Sequence, residues 1–159
     1  DDSNRTRSEM FEELKQQNPR IDATLLLKKN AYPYIVRRGE MHLYKLAWFF
    51  HFSSIAPLIS EPGDHLFIIV ATLGTKKRQS QAREALNDVC QQMNRDFTLC
   101  TWDAGTSWGL QVADYALWAI QRRQEGSTGT WWEEYVQPHT AQVNFPWGDE
   151  KRLDWLGQR

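Results

Sequence analysis

The sequence predicts an α/β domain with a mostly parallel central sheet flanked by helices on both faces. The first observation behind this is an uninterrupted apolar run from Leu66 to Leu73. Its length suits a strand, and its apolarity on both sides suits one covered from above and below. Runs of strand character also alternate with helical periodicity in the order helix, strand, helix, strand, helix, strand, helix, which argues for a parallel sheet. Finally, 159 residues of which 41% are hydrophobic are enough for one domain with a core of its own.

From Ser3 to Gln17 the spacing of Met10, Phe11 and Leu14 against Glu12, Glu13 and Lys15 predicts a helix, capped by Asp2 or Ser3 and ended by Asn18-Pro19. Ile21–Leu27 is a short, mostly apolar run, expected as a buried strand, with Lys28 and Lys29 at its end. Pro33 argues against a central strand over Tyr32–Val36, leaving an irregular extended piece. Glu40–Ile59 reads as a long aromatic-rich helix with Leu43, Leu46, Ala47, Phe50 and Ile55 on one face, interrupted or ended by Pro57. Glu61-Pro62-Gly63-Asp64 is a turn signal ahead of the Leu66–Leu73 strand. Gly74-Thr75-Lys76-Lys77-Arg78 leads into a helix over Ser80–Met93, and Phe97–Trp102 is a third strand. After the loop Asp103-Ala104-Gly105 comes a last long helix, and a short one over Thr130–Val136. These elements place one α/β domain over residues 1–137 and a loop-like tail over 138–159, with no internal repeat.

A formal net charge of −1 gives no global pull toward nucleic acid or membrane, so a polyanion site would have to be a local patch. No apolar run is long enough to span a membrane, and Asp-Asp-Ser-Asn-Arg is not a signal peptide. Cys90 and Cys100 lack metal-ligand spacing and are too few for a disulfide scaffold; they read as reduced thiols of a cytoplasmic protein. His42, His51, His65 and His139 show no zinc-site spacing. Trp131-Trp132, Trp147 and Trp155 give an aromatic C-terminus that could serve a partner, although tryptophans more often pack into their own core.

The stretch Thr106–Arg123 is the most informative. Thr106 or Ser107 can cap it, Arg122 and Arg123 suit its C-terminus, and Gly126 is a stop signal. Leu110, Ala113, Leu117 and Ile120, with Val112, Ala116 and Ala119 beside them, predict a largely buried helix. Gln111 and Asp114 lie one turn apart within it. A buried carboxylate needs an arginine, a hydroxyl, backbone donors or a metal. In open α/β sheets sites form at the C-terminal strand ends, where Asp103, Ser107, Gln111 and Asp114 are expected together. Two converging carboxylates repel, and Mg²⁺ or Mn²⁺ would relieve that, keeping waters and taking phosphate oxygens. Lys28, Lys76, Lys77 and Arg78 leave neighbouring strand ends and could hold a nucleic-acid backbone, DNA or RNA, without reading sequence. The competing reading of Lys76, Lys77 and Arg83 is the solvated start of an amphipathic helix.

Gly109-Leu110-Gln111-Val112-Ala113-Asp114-Tyr115, followed by Trp118 and the basic pair, resembles the C-terminal signature of the domain-of-unknown-function 3800 family. Members carry Gln-x-x-Asp on a late helix and are regarded as distant ribonuclease H-like proteins. The resemblance runs from about Asp1 to Glu125, with specificity only in the late helix. It implies a ribonuclease H-like fold and a divalent-metal-dependent nuclease, with Asp114 as metal ligand, Asp103 as the second and Gln111 as an orienting hydrogen-bonder. Two family features are missing. No apolar strand carries an Asp-Glu motif, Asp1-Asp2-Ser3 being followed at once by helix-like sequence, so that part is expected to lie upstream. Ala71–Thr75 offers no acidic residue. Both departures leave open whether this chain acts alone, and missing strands would expose a sheet edge, a route to dimers or aggregation. The alternative expectation is a non-catalytic module of the same fold that binds nucleic acid or protein.

Overall fold

The computed structural model describes residues 3–72, 75–127 and 129–148. Within these the chain is α/β. Its elements are α1 (Asn4–Gln17), β1 (Ile21–Thr24), a 3₁₀ turn (Lys28–Asn30), α2 (Pro33–Val36), α3 (Glu40–Ile59), β2 (His65–Ala71), α4 (Lys76–Met93), β3 (Asp96–Trp102), a 3₁₀ turn (Ala104–Thr106), α5 (Trp108–Gln124), a π turn (Trp132–Val136), a 3₁₀ turn (Gln137–His139) and β4 (Thr140–Asn144). They fall into two compact units, residues 3–23 with 103–143 and residues 24–102 with 144–148.

In the second unit β2 and β3 pair in parallel, His65 opposite Asp96 through Ala71 opposite Trp102. A parallel pair needs a crossover, and α4 supplies it. Leu66 and Ile68 from β2 and Phe97 and Leu99 from β3 pack on Phe52 and Ala56 of α3 and on Leu86, Val89 and Cys90 of α4. The opposite face is bare: Phe67 is 74% exposed, Ile69 40% and Trp102 49%. The expectation of one central sheet covered on both faces is therefore corrected. Among the described residues there are two two-stranded sheets, β1 with β4 and β2 with β3, and alternate residues of the apolar run face water.

Helix ends follow local chemistry. Ser3 caps α1, its Oγ accepting from the Thr6 amide at 3.2 Å; Asp2 lies outside the described residues. Asn18 and Asn94 end α1 and α4 in the left-handed conformation that asparagine tolerates. Arg95 then ties the two long helices of its unit at their ends. Its guanidinium donates to the Ser60 hydroxyl at 3.0 Å, the Ser60 carbonyl at 2.8 Å and the Met93 carbonyl at 2.6 Å. Hydrogen bonds from a charged donor contribute about 1.5–3 kcal/mol each.

Several expected elements differ. Tyr32–Val36 is not extended: Pro33 occupies the first position of a short helix, where its missing N–H is no loss. Pro57 lies inside α3, which runs on to Ile59, and the helix buries Phe52 and Ala56 rather than the Leu43–Phe50 face. The strand expected over Ile21–Leu27 stops at Thr24. α4 begins at Lys76, four residues before Ser80. The loop-like tail is corrected too, since Thr140–Asn144 is a strand beside β1. Leu73, Gly74 and Trp155 fall outside the described residues.

The first unit is organised around Phe11, which is fully buried. Its ring stacks on Trp131 at 4.9 Å, meets Tyr115 edge-on at 5.7 Å, and lies 5.5 Å from Tyr135 and 6.3 Å from Trp118. Trp132 is buried as well, and Trp131 is half-buried against Phe11. The Tyr135 hydroxyl donates to Glu12 at 2.7 Å, which holds its own proton above the ordinary tyrosine range. Phe11→Ala removes four ring contacts at once. It is expected to cost about 3–5 kcal/mol, read as a lower urea midpoint at unchanged slope with loss of near-ultraviolet circular dichroism.

Candidate functional site

Asp103 follows directly on β3 and caps the 3₁₀ turn, Oδ1 accepting from the Gly105 amide at 2.8 Å. The Thr106 hydroxyl donates to the Asp103 carbonyl at 2.9 Å. A Cβ at Gly105 would lie 2.9 Å from Asp103 Oδ1, so a side chain there would push the carboxylate aside. Ser107 then caps α5, its Oγ accepting from the Leu110 amide at 3.4 Å. Gln111, one turn in, reaches back and donates from Nε2 to the Gly105 carbonyl at 3.1 Å. The Asp103 turn is thereby tied to the first turn of α5 by a side chain as well as by the chain itself.

Asp114 lies one turn beyond Gln111, about 4.5 Å further along the axis. It is exposed, as are Ala113 and Leu117 on the same side of α5, Leu117 at 59%. The helix expected to be largely buried is buried only through Leu110, Val112, Ala116, Ala119 and Ile120. The conflict posed by a carboxylate in an apolar helix is thus resolved by exposure. Among the described residues Asp114 makes no hydrogen bond or ion pair, and an arginine partner is not what satisfies it.

Asp103, Ser107, Gln111 and Asp114 belong to one unit, and Lys28, Lys76, Lys77 and Arg78 to the other. Lys76, Lys77 and Arg78 form the first turn of α4 behind its cap Thr75, not a loop leaving a strand end. Positive charge there opposes the helix dipole at roughly 0.3–1 kcal/mol per charge. Arg78 lies 6.0 Å from the Tyr44 ring, at the outer limit of a cation–π contact, and Lys76 and Lys77 face solvent. Lys28 is exposed in its own 3₁₀ turn.

The histidines are spread over separate partners: His51 with Thr24, His65 with Thr98 and His139 with Asn18, each at 2.8–2.9 Å. Partial burial, then the charges of Arg38 and Lys45, lower the affinity of His42 for its proton. Among the described residues no three His, Cys, Asp or Glu side chains converge as a metal site. A cluster invisible to the sequence reading does occur at the other end of α5. There Arg7 and Arg122 both stand over Trp118, their guanidinium carbons 4.6 and 5.6 Å from the ring centroid. The i, i+4 spacing of Trp118 and Arg122 was a local signal, whereas Arg7 arrives from α1 and had none.

Compared with known proteins, the chain matches no family model, no curated protein and no solved structure.

Both cysteines are free thiols. Burial raises the Cys90 thiol above its ordinary range, overcoming the opposite pull of Arg95, and it packs in the α3–α4 core. Cys100 is only partly buried, on β3. Iodoacetamide at pH 8 is expected to alkylate Cys100 at least about tenfold faster than Cys90, since the reactive species is the exposed thiolate. Peptide mass spectrometry checks this, and the two rates should converge in denaturant.

Proposed function

We propose that the chain is a nucleic-acid-processing module of ribonuclease H-like type, whose α5 supplies carboxylate to a divalent-metal-dependent phosphodiester hydrolysis. The observation that carries this reading is the open Asp114 carboxylate one turn beyond Gln111, whose amide holds the Asp103 turn against the same end of α5. Mg²⁺ and Mn²⁺ take one or two carboxylate ligands and otherwise keep water and substrate phosphates, and Asp103 and Asp114 are both exposed to solvent. Asp103 has one oxygen engaged by Gly105 and offers its other. When bound, such an ion polarises a phosphodiester and lowers the pKa of water. Gln111 then acts as a positioning residue, fixing the turn that aims Asp103, and Ser107 acts by capping the helix that carries Asp114. Lys28, Lys76 and Lys77 are solvated cations suited to phosphate contacts that carry no sequence information.

A second reading, a non-catalytic nucleic-acid- or protein-binding module, is favoured by one observation. No three-ligand group occurs among the described residues, and two carboxylates alone hold an ion weakly.

Calorimetric titration of Mn²⁺ separates the two. The metal reading expects binding by the wild type, abolished in Asp114→Asn, and weakened in Gln111→Ala with a change in melting temperature of only a few degrees. Wild-type protein that takes up no Mn²⁺ at millimolar concentration overturns the metal reading for this chain. Retention of an oligonucleotide by the same metal-free protein in a gel-shift assay would then support the binding module.

A further inference from the structure

The stretch before α3 gathers charge of one sign. Residues 28–38 read Lys-Lys-Asn-Ala-Tyr-Pro-Tyr-Ile-Val-Arg-Arg, four cations and no carboxylate, in a chain whose net charge is −1. Lys28, Lys29, Arg37 and Arg38 are all exposed, and among the described residues none of them makes an ion pair. Local structure keeps them close together. The 3₁₀ turn closes with the Asn30 amide donating to the Leu27 carbonyl at 2.9 Å, and α2 with the Arg37 amide donating to the Pro33 carbonyl at 3.0 Å. Two compact turns in series put no more than about 20 Å between Lys28 and Arg38. The segment is anchored within its own unit, since α2 lies against α3 and Asn30 Nδ2 donates to the Gly148 carbonyl at 2.6 Å. Its charges form a fixed patch.

Between the two pairs of cations stand Tyr32 and Tyr34. Their rings stack on each other, centroids 5.8 Å apart and planes 16° from parallel, yet the residues remain 69% and 60% exposed. Each ring thus shields one face of the other and turns its outer face to water. Ile35 and Val36 are half-buried, so the tyrosines are the large apolar surface that this patch exposes.

We propose that the patch binds single-stranded nucleic acid, with phosphates against Lys28, Lys29, Arg37 and Arg38 and bases on the outer faces of the tyrosine stack. This deepens the nucleic-acid reading above, on which it rests, by naming single strands as the partner; it needs neither Asp103, Asp114 nor a metal ion. Cations flanking open aromatic faces match a polymer that alternates phosphates with bases, and every base has a face to stack. In a duplex the bases stack on one another and offer only their edges, which leaves the tyrosine faces unused. At roughly 3.4 Å per nucleotide of a stacked strand, the patch spans about six nucleotides. An acidic peptide would meet the cations and leave both rings in water. A membrane surface would do the same, because the patch has no Trp, Phe or Leu to enter it.

The test is fluorescence anisotropy on the full chain in EDTA, with labelled dodecanucleotides of thymidine and of uridine and a duplex of the same length. Duplex DNA has the higher charge density, so a purely electrostatic surface prefers it. Here the single strand is expected to bind at least about tenfold tighter, through base stacking. The plot of log affinity against log salt should have a slope of about −2 to −3, at roughly −0.7 per phosphate held, and Lys29→Gln with Arg37→Gln should about halve it. Tyr32→Ala with Tyr34→Ala should weaken single-strand binding at least about tenfold and abolish the preference over duplex, while Tyr32→Phe with Tyr34→Phe keeps both. All these positions are exposed, so the melting temperature should hold. Binding in EDTA by a chain that takes up no Mn²⁺ upholds this surface without the metal site. Single-strand binding indifferent to the tyrosine and cation variants overturns this surface and leaves the nucleic-acid reading standing. No single-strand binding, or duplex bound as tightly, overturns the proposal; capture of phosphatidylserine vesicles or of polyglutamate then reassigns the patch to a membrane or an acidic protein.

Discussion

The parallel pairing of β2 with β3 is the constraint from which the second unit follows. Parallel strands cannot be joined by a tight turn, so the chain must leave Ala71, travel back along the sheet and re-enter at Asp96. α4 makes that return, and its inner face can be buried only if the strands offer apolar side chains on the same side. Leu66, Ile68, Phe97 and Leu99 do so, and α3 completes the layer. Arg95, placed by the left-handed turn at Asn94, then binds the end of α3 through Ser60. One backbone requirement thus sets the helix, the helix sets the core, and polar links join the same two helices, Arg95 at their ends and Lys45 with Glu84 at 2.9 Å.

α5 is organised by its ends rather than by its middle. Its N-terminal end is a chain of short hydrogen bonds, from Asp103 through Gly105 to Gln111, in which each side chain satisfies a backbone group that the turn leaves over. Its C-terminal end gathers cations around an indole. Between them the buried stripe from Leu110 to Ile120 anchors the helix, while Ala113, Asp114 and Leu117 look outward. A polar turn and a cationic cluster on one rigid rod can be separated genetically, because no residue belongs to both.

Much of this was legible in the sequence, and the failures share a cause. Caps at Ser3 and Ser107, the turn at Gly63, the strand cores of β2 and β3 and the existence of α1, α4 and α5 are local properties, written in a few neighbouring residues. β4 was missed because its pattern Thr-Ala-Gln-Val-Asn is short and weak, and its partner β1 lies far away along the chain. The burial of Asp114 was misjudged because apolar composition tells which residues could be inside, not which of them a neighbour covers; Leu117 and Phe67 are apolar and exposed. Within the site, Asp103 and Ser107 could be read as caps from their positions. The bond from Gln111 to Gly105 depends on the local shape of a 3₁₀ turn, and the approach of Arg7 to Trp118 depends on how α1 lies on α5.

The aromatic cluster around Phe11 joins the two extremes of the described chain; Glu12 and Tyr135, which touch, stand 123 positions apart. During synthesis, at roughly 5–20 residues per second, Glu12 would be added some 6–25 s before Tyr135. The residues of β2, α3, α4 and β3 are all made within that interval and can fold among themselves. Phe11 meanwhile lacks Tyr115, Trp118, Trp131 and Tyr135, the rings that pack on it. Until Trp131 and Tyr135 are made, the apolar side of α1 is therefore a surface open to a nascent-chain chaperone.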